Sequence, residues 1–249
     1  MARAHTRPST TVLRQSASIP ILAPLLLLPA CVPAPAEPHP ALVEAIDHYT
    51  GVAGAVDDER ARELLEQAAA TGDPLSVMWM ARVHSTGRMG FPRDEEQARE
   101  IATGVIRKVQ GAAESGVLEA VFLMGTAYDE GLGKPVDPVL AALWHRRAAE
   151  RSHVLGAHVL GNQYAEGRGV EEDPVQAVEW WTRAAERGDA ITQLRLGEAY
   201  EAGRGVPRDL DVAREWYGRA AAAGNEQAQE ALDRLAATDP PQPTDFPVL

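Results

Sequence analysis

Cysteine and lysine are nearly missing from this 249-residue chain: Cys31 stands alone, and Lys108 and Lys134 are the only lysines. A lone cysteine excludes an intrachain disulfide framework and a cysteine-rich zinc site. Positive charge is short overall, with 24 Lys+Arg against 36 Asp+Glu and a net charge of -12. Three of the arginines, Arg3, Arg7 and Arg14, fall within the first 30 residues, which contain no acid. The rest of the chain is therefore still more acidic, and its field repels phosphate backbones, so a nucleic-acid partner is excluded. No apolar run reaches the roughly 20 residues that a spanning helix needs. The most apolar stretch, 19–30, is short and interrupted by Pro20, Pro24 and Pro29.

The N-terminus reads as an address. A basic stretch precedes a short apolar run, which is the pattern of a secretory signal. The junction Leu28-Pro29-Ala30-Cys31 resembles a bacterial lipobox, with Pro29 where that pattern usually has a small residue. The resemblance implies that Cys31 is the lipidated new N-terminus. A plain secretory signal and an organellar transit peptide are the other readings of the segment. The expected organisation is a signal over 1–30, a proline-rich tether over 31–39 and a folded domain over 40–238. A disordered, proline-rich tail is expected over 239–249.

The domain repeats internally, which governs every later reading. Tyr128, Tyr164 and Tyr200 recur at one fixed step, as do Gly125, Gly161 and Gly197. The same step relates Gly131, Gly167 and Gly203, and then Gly133, Gly169 and Gly205. Asp137, Asp173 and Asp209 follow, then Trp144, Trp180 and Trp216, then paired alanines beginning at Ala148, Ala184 and Ala220. The Gly125 and Tyr128 columns share one face of a first helix. A glycine inside that helix costs about 1 kcal/mol, so its recurrence predicts a close helix approach. Gly131, Gly167 and Gly203 fit left-handed C-caps. The aspartates fit N-caps of a second helix, and Asp173-Pro174-Val175-Gln176 fits a capping box.

Upstream, the unit ending at Gly116 is eight residues longer, one in its loop and seven in its second helix. In that unit His84 occupies the tyrosine column and is expected as a core histidine. A degenerate first unit covers Ala41–Tyr49 and Asp57–Ala70, and Asn225–Ala237 reads as a capping helix. Ser152 stands once where Gly116, Gly188 and Gly224 close the other units.

Leu160-Gly161-Asn162-Gln163-Tyr164, Gly167-Arg168-Gly169-Val170, Ala177, Trp180 and Ala184-Ala185 through Gly188 together resemble the Sel-one-like repeat family, relatives of tetratricopeptide repeats. The match is specific over about 118–225 and weaker over 38–117. It implies an all-α fold, an α/α right-handed superhelical solenoid of helix-turn-helix repeats. It also implies a concave groove that holds a partner and, in bacteria, a place at the cell envelope.

Three columns on the first helices vary on this repeating frame. They are Arg82, Thr126, Asn162, Glu198; Trp79, Leu123, Val159, Arg195; and Ser85, Asp129, Ala165, Glu201. The expected partner-binding residues are Trp79, Arg82, Thr126, Asp129, Asn162, Arg195, Glu198 and Glu201. Trp79 and Trp181 lie outside the tryptophan column and are expected as exposed contacts, whereas the column itself is expected in the core. The partner would be another protein or an envelope glycan, and the acidic total favours a basic or neutral one. The only membrane contact expected is through the N-terminal lipid.

The expected function is a non-enzymatic interaction scaffold at the envelope. One alternative is an envelope hydrolase acting on β-lactams or peptidoglycan. No nucleophile motif supports it, and the paired cysteines of relatives linked to β-lactams are missing. The other is a soluble organellar assembly factor. No metal or other cofactor is expected, because His145, His153 and His158 lack the spacing of a helical zinc pair.

Overall fold

The computed structural model describes residues 37–238. Cys31, the signal, most of the tether and the tail lie outside the described residues. Eleven helices follow in order among those described: α1 (Pro40–Thr50), α2 (Asp58–Ala70), α3 (Pro74–Thr86), α4 (Glu95–Glu114), α5 (Leu118–Glu130) and α6 (Pro138–Glu150), then α7 (Val154–Glu166), α8 (Pro174–Ala185), α9 (Ala190–Ala202), α10 (Leu210–Ala222) and α11 (Glu226–Thr238). Odd and even helices pair into five hairpins stacked as a solenoid, with α11 packed on α10. None of the described helices is long and apolar enough to cross a membrane.

One local device makes every hairpin. The first helix stops at a left-handed glycine: Gly51, Gly87, Gly131, Gly167 and Gly203 have φ of 84, 68, 75, 66 and 69°. The second helix starts at an aspartate, and the side chains of Asp57, Asp94, Asp137, Asp173 and Asp209 accept from its first-turn amides. The aspartate's own N–H closes the loop. It donates to the carbonyl of His48, His84, Tyr128, Tyr164 and Tyr200, respectively, at 2.8–3.0 Å. This bond leaves only half of the expected capping box at Asp173. Gln176 turns away and donates to Glu179 instead. Asp173→Ala should still cost about 1 kcal/mol by loss of the cap, read as a lower urea midpoint.

Ser152 takes φ 66° in the turn where the other units have glycine. A β-carbon in this left-handed conformation costs about 1–2 kcal/mol. Ser152→Gly is therefore expected to raise stability by about 1 kcal/mol, measured by thermal melting.

The helical glycines are contact points within a hairpin. A Cβ on Gly125, Gly161 or Gly197 would collide with the ring of His145, Trp181 or Tyr217. The ring that fills each hairpin is therefore the residue after the tryptophan column. Trp180 is buried, but Trp144 and Trp216 are only half-buried, which corrects the expectation of a core column. Each tryptophan instead carries a guanidinium over its face: Arg147, Arg183 and Arg219 lie 5.4, 4.1 and 4.4 Å from the ring centres.

Contacts between hairpins use the second loop glycine. A Cβ on Gly169 would overlap the carbonyl of Pro138 at the start of α6, and one on Gly205 would overlap that of Pro174 at the start of α8. Gly133 faces the Ile106 side chain instead, because the seven added residues lengthen α4 to 20 and shift its first turns past its neighbours. Gly156 rests on Ala148, the first of one alanine pair.

The two ends of the stack meet. Val56 N–H donates to the Ala223 carbonyl at 3.0 Å. A Cβ on Gly51 would lie 3.3 Å from that of Ala190, and one on Gly188 would lie 3.5 Å from Val52 Cα. The α1–α2 loop thus touches the turns that enter α9 and α11.

Candidate functional site: the face of the first helices

At the N-terminal half this face is sealed. Trp79 is 1% exposed and Thr126 3%, so both expectations of surface contact are corrected. The α5 helix is buried on every side from Glu119 to Ala127, which takes Thr126 inside. Trp79 is covered by Tyr49 and Phe122, with ring centres 6.3 and 6.0 Å away. Its indole N–H donates to Glu119 Oε1 at 2.6 Å. His153 meets the other Glu119 oxygen at 2.8 Å and accepts the Gly156 amide on Nδ1. A ring that accepts on Nδ1 carries its proton on Nε2, so His153 donates to Glu119. Burial works to raise the Glu119 pKa. His153, the indole and Arg82 outweigh it and hold the carboxyl below its usual range. Arg82 itself is held over the Trp79 and Phe122 rings, 4.7 and 5.1 Å from their centres, and reaches Glu130 at 3.8 Å.

His158 pairs with buried Asp189 at 2.7 Å, and His84 packs edge-on to Phe91. No cluster able to hold a metal occurs among the described residues. His145 is buried against Gly125 and Phe122. Burial pushes its pKa from 6.5 down to about 3, against a hydrogen bond with Gln163 that works upward. The unfolded chain thus takes up this proton near pH 6.5 and the folded chain only near 3. Stability from this ring is complete above pH 6.5 and falls on acidification, by up to about 1.4 kcal/mol per pH unit. Asp129 and Glu130, whose pKa values are raised first by burial, work in the opposite direction. Urea midpoints at pH 7, 6 and 5 should decline in the parent chain and decline less in His145→Phe.

Toward the C-terminal half the face opens. Asn162, Arg195 and Glu198 line one cavity of about 280 Å³ between α7 and α9. Arg195, Glu198 and Glu201 line an adjoining one of about 780 Å³ between α9 and α11. Four of the eight expected partner-binding residues are therefore brought together. Asp129 lies apart from them, in a polar recess of about 440 Å³ with Arg88, Arg93, Arg99 and Arg168. Trp181 is almost covered but forms a wall of the first cavity, and its indole N–H donates to Asn162 Oδ1 at 2.9 Å. Tyr217 donates to Glu201 at 2.7 Å, and Arg234 meets the same carboxylate through both terminal nitrogens at 2.9 Å. Burial opposes, but these bonds hold Glu201 below its usual pKa.

Glu166, Arg204, Arg208 and Glu230 belong to the same groove and were not singled out from sequence. Arg204 had a signal: it follows Arg168 by one repeat, inside the same Gly-Arg-Gly. The groove balances positive against negative charge over an alanine floor.

A stacked-hairpin solenoid with a varied groove on a repeated frame defines a helical-repeat binding protein. The Sel1 repeat profile matches residues 48–73, 74–102, 118–153, 155–189 and 190–225, and the chain belongs to the Sel1 repeat family. Proteins of this family are typically protein-interaction scaffolds. The chain is similar to a protective antigen of uropathogenic Escherichia coli that displays an SLR fold, with 25% identity and a TM-score of 0.54 over 80% of this chain and 48% of that one. It is similar to a Sel1 repeat protein of Oxalobacter formigenes, with 35% identity and a TM-score of 0.49 over 72% and 50%. It also resembles cysteine-rich protein B of Helicobacter pylori, with 21% identity and a TM-score of 0.44 over 54% and 96%. The chain spans about half the length of the first two. No curated protein matches it.

Proposed function

We propose that the chain is a non-enzymatic scaffold of the bacterial envelope. It is exported by residues 1–30, anchored through a lipid on Cys31, and holds a polypeptide along the face of α7, α9 and α11. The groove carries this reading. Its frame repeats, yet Asn162, Arg195, Glu198 and Glu201 differ from their counterparts in the other hairpins, and all four line two adjoining cavities, with Arg195 and Glu198 exposed. A frame held constant under varied side chains is how repeat proteins form specific surfaces. The lipid anchor is supported by the resemblance of Leu28-Pro29-Ala30-Cys31 to a lipobox.

A photo-cross-linking residue placed at Glu198 in living cells should capture a reproducible protein. The same residue at exposed Glu179, on the second helix α8, should capture none. Absence of any partner at Glu198 overturns the scaffold reading. Fatty-acid labelling of the parent chain and its loss in Cys31→Ser test the anchor separately.

A further inference from the structure

The cavity between α7 and α9 indicates what it takes, provided that this face is the one that holds the partner. Arg168 shows how a loop arginine is normally satisfied. Its Nη2 donates to the Asp129 carbonyl at 3.1 Å and lies 3.0 Å from the Asp129 carboxylate. One repeat later Arg168 becomes Arg204, and Asp129 becomes Ala165, which offers no acceptor. Both Arg204 and Ala165 line the cavity. The Arg204 backbone N–H donates to the Ala199 carbonyl at 3.0 Å, but its exposed guanidinium has no hydrogen bond or ion pair among the described residues.

A second donor is fixed in the same lining. The Trp181 indole can only donate, so its bond at 2.9 Å sets Asn162 with Oδ1 toward the indole and leaves both Nδ2 hydrogens unused. Arg195 and Glu198 satisfy each other at 2.9 Å. The floor is apolar, made by Ala165, Ala177, Ala199 and the Trp181 ring. About 280 Å³ falls just below the ~300–1,000 Å³ of ordinary small-molecule sites and suits one residue. A guanidinium with no protein partner and a fixed amide donor lining the same cavity match a carboxylate. The floor matches an apolar side chain attached next to it. Glu166 and Glu198 on the rim disfavour acidic residues further up the ligand.

We infer that this cavity receives the C-terminal residue of a polypeptide, with its α-carboxylate on Arg204 and Asn162 and its apolar side chain against Trp181. The probe is acetyl-Gly-Ser-Gly-Ser-Leu, made as the free acid and as the C-terminal amide, with free leucine as a third arm. Each is titrated into the ¹⁵N-labelled chain while the Trp181 indole and Asn162 side-chain amide signals are followed by NMR. The free-acid peptide should move both signals and bind at least tenfold more tightly than the amide. Arg204→Gln should weaken it at least tenfold while the remaining spectrum stays that of the folded chain. Equal binding of acid and amide, or unchanged binding to Arg204→Gln, overturns the inference. Free leucine binding as tightly as the peptide overturns the polypeptide as occupant. A partner captured at Glu198 with no preference for the free acid leaves the scaffold reading standing and sinks this one alone.

Discussion

Gly169→Ala is expected to destabilise the protein by about 3 kcal/mol or more, although it adds one methyl group in a surface loop. Two costs combine. At φ 74° any β-carbon is strained, at about 1–2 kcal/mol. The new carbon also overlaps the Pro138 carbonyl, and a main-chain oxygen at the start of a helix cannot rotate away. Overpacking of this kind costs about 1–3 kcal/mol more. Gly205→Ala should behave alike, since it meets the Pro174 carbonyl at φ 73°. Gly133→Ala separates the two costs. It has φ 71°, but its nearest atoms are side-chain carbons of Ile106 at 3.0–3.3 Å, which can give by a few tenths of an ångström. Urea denaturation of the three variants should place Gly133→Ala well above the other two. Three equal losses would show that conformation alone is at work and that the hairpins do not bear on each other through this loop.

The second large effect is expected from Glu119→Ala, at about 3–5 kcal/mol, the usual range for removing one partner of a buried charged pair. Glu119 joins three consecutive first helices: Trp79 comes from α3, the carboxylate from α5 and His153 from the N-cap of α7. Its removal leaves the indole and imidazole N–H groups buried without an acceptor, and it takes away a carboxylate close to Arg82. Glu119→Gln retains a carbonyl acceptor for one of the donors and should lose roughly half as much. A fall in the urea midpoint of Glu119→Ala no larger than that of Glu119→Gln would mean that the three helices hold together without this link.

Much of the fold was written in the 36-residue period. Caps and loop glycines each recur as one residue type at one position, and such positions are visible without coordinates; the added turns of α4 show as one longer step in the period. The ring that fills each hairpin was not visible, because His145, Trp181 and Tyr217 share a role without sharing an identity. The repeated Trp144, Trp180 and Trp216 therefore drew attention that belonged one residue later. Trp79 was misplaced for a related reason. Its surroundings depend on Glu119, 40 residues away, and on Tyr49 in the degenerate first unit. For the groove, period and helical spacing were enough to assemble Asn162, Arg195 and Glu198. Arg204 required one further comparison, of a residue with its partner one repeat earlier. An arginine in an unchanged motif alters its role when the aspartate facing it becomes alanine.

The bond from Val56 to Ala223 bears on elasticity. An open solenoid behaves as a soft spring, whose pitch can lengthen by a small rotation at every junction. Here the first hairpin's loop is fastened to the turns of the last ones, so the pitch is pinned and the coil cannot stretch without breaking that seam. The opening between α7, α9 and α11 is consequently held at one width. A partner of the proposed kind would then dock close to lock-and-key, with little ordering cost.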